Sequence, residues 1–141
     1  EPLLKSSGIE IESHIEEDCN VYGDPQLLER AAYNLIDNAS RHTGTGGRGK
    51  ITVSLYRTDT ALFEVRDYGD GIDEAELPHI WEKYYTSRQR SNKGVSGLGL
   101  AIVKQIAQLH DAEYGVESRP GAGSMFWLEF KTPDPTLQTT E

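Results

Sequence analysis

One cysteine in 141 residues, Cys19, leaves no partner for an internal disulfide and fits a reducing compartment. No apolar run approaches the ~20 residues of a membrane span, and the first residues carry no signal-peptide pattern. Basic residues are also scarce. Against 23 Asp and Glu stand 14 Lys and Arg, for a formal net charge of −9. That balance argues against non-specific nucleic-acid binding and a polybasic membrane contact. Any anionic ligand must be held locally, by backbone amides, a metal or a few placed cations. The four histidines, His14, His42, His79 and His110, have no metal-ligand spacing with one another or with Cys19. No Ser/His/Asp or Cys/His arrangement can be placed from the sequence, and no internal repeat is present. What remains is the length of one domain, with 36% hydrophobic residues, enough for one core.

The pattern along the chain is mixed. Ile9–Ile15 alternates and predicts a strand. Asp24-Pro25 starts a helix, with Asp24 as N-cap, that runs to about His42 on a stripe of Leu28, Ala31, Ala32, Leu35 and Ala39. Asp37 falls beyond the stripe, in solvent. Ile51, Val53 and Leu55 mark a second strand, 57–60 a hairpin turn and Leu62–Asp67 a third strand. Asp73–Trp81 reads as a short helix. Residues 86–96 are polar and long for a loop, as lids are. A second long helix spans Gly97 to about His110, and strands cover 114–117 and 124–130. The prediction is an α/β domain over 1–131, a mixed sheet with helices on one face, and a flexible tail over 132–141.

Asp67-Tyr68-Gly69-Asp70-Gly71-Ile72 is the most informative stretch. Alternation puts Phe63, Val65 and Asp67 on one face, so a carboxylate continues an apolar face into the core. Such a group needs hydrogen-bond partners. An acceptor-only carboxylate beside bare glycine backbone suits an exocyclic amine such as that of adenine. Taken alone, the stretch is a capped Gly-rich turn after a strand.

Further segments add weight. Asn34, Asn38 and Arg41 share one edge of the first helix. Their amide oxygens suit a hard cation such as Mg²⁺ with its waters, although two border asparagines alone mean local hydrogen bonds. Gly94-Val95-Ser96-Gly97-Leu98-Gly99-Leu100 runs a glycine-rich loop into a helix. Free amides at a helix N-terminus bind phosphate, and two glycines there are costly unless they serve packing or a ligand. Arg88, Arg90 and Lys93 are within reach of a triphosphate or are solvated surface charges. Trp81, Tyr84 and Tyr85 read as a hydrophobic anchor for the lid. Gly121–Phe126 is the weakest signal, a hairpin turn. Gly44–Lys50 nearly spells a P-loop, but Ile51 replaces the required Ser or Thr and the helix comes before the loop.

As an ordered set these segments resemble the catalytic ATP-binding domain of two-component sensor histidine kinases, within the gyrase–Hsp90–histidine kinase–MutL superfamily. The N box is Asn34–Arg41, the G1 box Asp67–Ile72, an aromatic F box Ile80–Tyr85, the G2 box Gly94–Leu100 and a G3-like turn Gly121–Phe126. The resemblance covers about Asp24 to Phe130. It implies a two-layer α/β sandwich, the Bergerat ATP-binding fold. ATP would lie between the N-box helix and the lid. Asp67 would accept from adenine, with Gly69, Gly71 and Ile72 around the base. Asn38 would hold Mg²⁺, assisted by Asn34. Gly97, Leu98, Gly99 and Leu100 would cradle phosphates, with Arg41 and His42 near them and Tyr84, Lys93 and Ser96 in supporting contacts. Two positions depart from the family pattern: Val95 stands where many relatives have glycine, and Trp81 where phenylalanine is usual.

Hydrolysing members of the superfamily carry a glutamate four residues before the Mg²⁺-binding asparagine. This chain has Asn34 there, and an amide is no general base. The resemblance therefore implies a phosphotransferase. It would pass the γ-phosphate to a histidine on a separate dimerisation and phosphoacceptor (DHp) domain. The alternatives are a gyrase- or Hsp90-type ATPase, a serine-kinase relative, or a nucleotide-sensing module without catalysis. No DHp-type helical hairpin lies in these residues, so an excised domain is expected, monomeric and cytoplasmic, from a homodimeric parent in some cases anchored in a membrane. A response regulator is the implied downstream partner.

Overall fold

A computed structural model describes residues 9–17, 19–43, 49–83 and 98–131. Strand β1 (Ile9–Ile15) is followed by helix α1 (Pro25–Thr43), β2 (Gly49–Arg57), β3 (Thr60–Asp67), helix α2 (Gly99–Leu109), β4 (Glu113–Ser118) and β5 (Ser124–Lys131). The strands form one sheet in the order β1-β2-β3-β5-β4. Only β1 and β2 are parallel; the other pairs are antiparallel. That single parallel pairing needs a crossover, and α1 lies within it. Both helices pack on one face of the sheet and against each other. The mixed two-layer sandwich expected from the sequence is what forms. No helix among the described residues is long and apolar enough to cross a membrane.

The start of α1 follows its capping chemistry. Asp24 Oδ1 accepts from the Gln26 and Leu27 amides at 2.9 and 3.3 Å. Ala31, Leu35 and Ala39 of the stripe are fully buried, with Leu28 packed at the margin. They meet Ile51 and Val53 of β2, Val65 of β3 and Phe126 of β5, with Val103, Ile106 and Ala107 of α2 completing the core. Period-two alternation on the strands and period-3.6 on the helices bury one face of each. Asp37 is not simply solvated: it is half-buried and accepts from Arg41 Nε at 3.0 Å, one turn on.

The two helices run antiparallel and are pinned at both ends. At one end the Asp24 amide donates to His110 Nε2 at 3.0 Å, while His110 Nδ1–H donates to the Ile106 carbonyl at 2.8 Å. The Ile106 bond fixes the tautomer, leaving Nε2 as the acceptor. At the other end Asn34 Nδ2 donates to the Gly99 carbonyl at 3.3 Å.

The helix expected over 73–81 does not form. A turn at 74–76 leads into a 3-10 turn at Leu77–His79. Pro78 has no amide to donate and disfavours a helical Leu77, so i→i+3 bonds such as His79 N to Glu76 O take over. Trp81 then docks edge-on against Tyr114 and Phe126, with ring centroids 4.8 and 5.7 Å away. It fixes the chain at residue 81, while Tyr84 and Tyr85 lie outside the described residues. The expected lid, 86–96, and the tail, 132–141, lie outside the described residues.

On the outer sheet face Tyr56 donates to Glu64 Oε2 at 2.7 Å. That hydrogen bond, with partial burial and the carboxylate's charge, pushes the phenol above its ordinary value. A group whose folded pKa is raised contributes fully below its unfolded pKa, and the contribution is lost as pH rises through the folded one. In an alkaline titration followed by phenolate absorbance, Tyr56→Phe should remove a component titrating above the ordinary tyrosine range. If the component lost titrates in the ordinary tyrosine range instead, the bond does not form in solution.

Candidate nucleotide-binding site

Asp67 ends β3 with 0% exposure. It is in register with Ile51 on one side and Ser124 on the other, and Ser124 is in register with Ser118. The chain turns immediately back, so that the Gly69 amide donates to Asp67 Oδ1 at 3.0 Å. A charge-assisted bond of this kind offsets part of the cost of burying a carboxylate. Gly69 is seated on the carbonyl of His42, where a Cβ would collide. The loop after Asp67 therefore rests on the last turn of α1. Asn38 (6% exposed) and His42 (7%) face inward one turn apart. Asn38 Nδ2, His42 Nε2 and Asp67 Oδ2 are all shielded from solvent.

The same edge of α1 reaches the start of α2 through Asn34 and Gly99. From position 34 to 42 the helix rises about 12 Å. One helix edge thus has a buried carboxylate and bare glycine backbone at one end, and a helix N-terminus at the other. A heterocycle with a donor fits the first, and an anion fits the second. Among the described residues a Cβ built on Gly99 meets no atom within 4 Å. Packing against the described residues therefore does not require a glycine there.

Several expectations shift. The G3-like turn, weakest in the sequence, is interlocked with the Asp67 loop. The Gly121 amide donates to the Asp70 carbonyl at 2.6 Å, and Gly123 packs on the Asp67 carbonyl. Gly71, at φ 78°, leaves no space for a Cβ beside the Arg119 carbonyl. The Ile72 side chain is core, and its amide is engaged by Ser118 Oγ at 2.7 Å rather than turned to a ligand. Leu100 is also core. Leu98 is half-buried at the N-cap of α2 with no side-chain cap, its carbonyl accepting from Ile102 at 2.9 Å. Arg41 is held by Asp37. Tyr84, Lys93, Ser96 and Gly97 lie outside the described residues. Sequence reading missed Ser118. Its signal was there: Tyr114, Val116 and Ser118 alternate inward, so a hydroxyl ends an apolar face as Asp67 does.

The profile of the histidine kinase-, DNA gyrase B- and HSP90-like ATPases matches residues 23–134. The chain belongs to this family. It is 35% identical over 121 residues to the heme sensor protein HssS of Staphylococcus saprophyticus, covering 86% of this chain and 26% of that protein. It is 42% identical over 117 residues to the signal transduction histidine-protein kinase/phosphatase MprB of Mycobacterium sp., covering 78% and 22%. The chain thus spans about a quarter of the length of these relatives. Among solved structures, a mycobacterial sensor histidine kinase MprB superposes with TM-score 0.79 at 29% identity, over 94% of this chain and 89% of that one. Full-length ShkA in complex with AMPPNP superposes with TM-score 0.78 at 26% identity, over 94% and 28%. The fold is therefore that of histidine kinase ATPase domains.

Within this family fold the two interlocked loops make Gly71 a structural hinge pin of the site. Gly71→Ala should cost about 2 kcal/mol or more, because it adds both a positive-φ penalty and a backbone collision. Chemical denaturation reads this directly, and an unchanged midpoint would contradict the described loop conformation.

Proposed function

We propose that the chain is the ATP-binding catalytic domain of a sensor histidine kinase, which binds Mg-ATP and donates the γ-phosphate to a histidine on a separate DHp domain. The observation that carries this reading is the α1 edge, with the Asp67 loop at one end and the N-terminus of α2 at the other. Asp67 accepts from the exocyclic amine of adenine, and the bare backbone at Gly69 and Gly71 lets the flat base approach. The amides at the start of α2, with Gly99 open beside them, hold phosphate oxygens. The donor chemistry fits Mg²⁺: Asn38, buried at the inward edge, would supply an amide oxygen, the hard ligand type that ion takes. Bound there, the ion would neutralise charge on the phosphates. Asn34 both holds the start of α2 and, being an amide, cannot deprotonate a water, so hydrolysis is disfavoured relative to transfer. The γ P–O bond breaks to release ADP as the histidine nitrogen forms its bond to phosphorus. The protein's share is positioning and charge stabilisation. The partners are the DHp domain of a homodimeric parent and, after it, a response regulator. This domain acts in the cytoplasm as a monomeric unit, and its ligands do not include nucleic acid.

Calorimetry with ATP, ADP and GTP, with and without Mg²⁺, tests the reading. ATP should bind, and Asp67→Asn should weaken it at least tenfold, roughly the worth of a charged hydrogen bond. Added DHp domain should acquire an acid-labile phosphate, while the chain alone turns ATP over slowly. Unchanged affinity in Asp67→Asn, or steady hydrolysis on the order of 1 s⁻¹, would overturn it.

Gly99→Ala separates structure from binding. A Cβ there meets none of the described residues, so the substitution should raise stability by up to about 1 kcal/mol while lowering ATP affinity. A parallel change in thermal midpoint and affinity would return Gly99 to a packing role.

A further inference from the structure

Ser118 closes β4 on its inward face, in register with Ser124, which is in register with Asp67. Its hydroxyl meets three groups. The Ile72 amide donates to it at 2.7 Å, it donates to the Gly123 carbonyl at 3.1 Å, and Ser124 Oγ lies 2.8 Å away. A serine hydroxyl has one proton and two lone pairs. With the proton on Gly123 and one lone pair taken by Ile72, the remaining lone pair is open to Ser124. All of these contacts are satisfied only if Ser124 gives its own proton to Ser118. Ser124 is then left with lone pairs alone for any group that enters beside Asp67.

Resting on the nucleotide reading above, we infer that Ser118 is a positioning residue that sets the base selectivity of the site. By drawing off the Ser124 proton it makes the wall beside Asp67 a row of acceptors. Such a wall favours a purine with an exocyclic amine and repels one with a carbonyl at the same position, because two oxygens face each other with no proton between them. The same hydroxyl ties the loop after Asp67, through Ile72, to the turn before Ser124, through Gly123. One side chain therefore holds both segments that flank the carboxylate. If it is removed, Ser124 is free to rotate and donate to a purine carbonyl.

The probe is inosine triphosphate, which differs from ATP by a carbonyl in place of the amine and a proton on the adjacent ring nitrogen. Binding of both nucleotides, with Mg²⁺, is measured by calorimetry on the whole chain. The wild-type chain should prefer ATP, and Ser118→Ala should narrow the ATP-to-inosine-triphosphate affinity ratio about tenfold, the scale of one misdirected hydrogen bond. Ser118→Cys keeps the shape with a weak hydrogen-bonding group and should narrow the ratio likewise, so it serves where the alanine variant does not fold. Ser118→Thr keeps the hydroxyl and should restore the wild-type ratio. A general loosening would weaken both nucleotides together and leave the ratio alone. A wild-type ratio in both the alanine and cysteine variants, or an equal narrowing in the threonine variant, overturns the assignment. A wild-type chain that binds neither nucleotide overturns the nucleotide reading itself, and this inference with it.

Discussion

A carboxylate buried at the end of a central strand organises the whole site. Asp67 is fully shielded, and a charge in that position is tolerated only when hydrogen bonds replace water. The Gly69 amide supplies one, which obliges the chain to turn back at once. The turn in turn needs a bare backbone at 69, because the His42 carbonyl is already there, and at 71, because the Arg119 carbonyl is. The last turn of α1, the end of β3, the loop after it and the turn before β5 all converge because one acid points inward. The polar row Asp67–Ser124–Ser118 across three strands carries the same constraint sideways.

The helices give that carboxylate its counterpart. Two bonds, Asn34 to Gly99 and Asp24 to His110, pin α1 and α2 in antiparallel order. The C-terminal end of α1 therefore lies at the Asp67 loop and the N-terminal end of α2 lies a few turns away along the same edge. Helix ends carry opposite partial charge, so the Asp67 end of this edge favours donors and the α2 end favours anions. Each pinning bond contributes only about 1 kcal/mol. Their larger effect is geometric, since they set the separation between the two ends. The proposed nucleotide, with a donor-bearing ring and an anionic tail, matches this polarity, and the chain belongs to a family of ATPases.

Legibility was uneven, for local reasons. Asp24 and Pro25 announced the start of α1 because capping is a contact within one turn. Val65 and Asp67 announced their face because strand alternation is local too. The helix expected over 73–81 gave way to a 3-10 turn because Pro78 lacks an amide and restricts Leu77. Leu100 and Ile72 sit inside motif segments, yet their side chains are core. A motif names a stretch of chain and does not say which groups face the ligand. Asp37 and Arg41, one turn apart, satisfy each other, which a helical wheel permits but does not require.

By itself the amino-acid sequence determined the element order, the inward acid, the amide-bearing helix edge and the glycines around them, because all of these depend on periodicity and on chemistry within a few neighbouring residues. Only the tertiary structure decided that the Gly121–Gly123 turn braces the Asp67 loop, that Asn34 reaches Gly99, and that the Ser118 hydroxyl joins Ile72, Gly123 and Ser124. These contacts link residues far apart in the chain. Their partners are set by strand order and register, which no local pattern encodes.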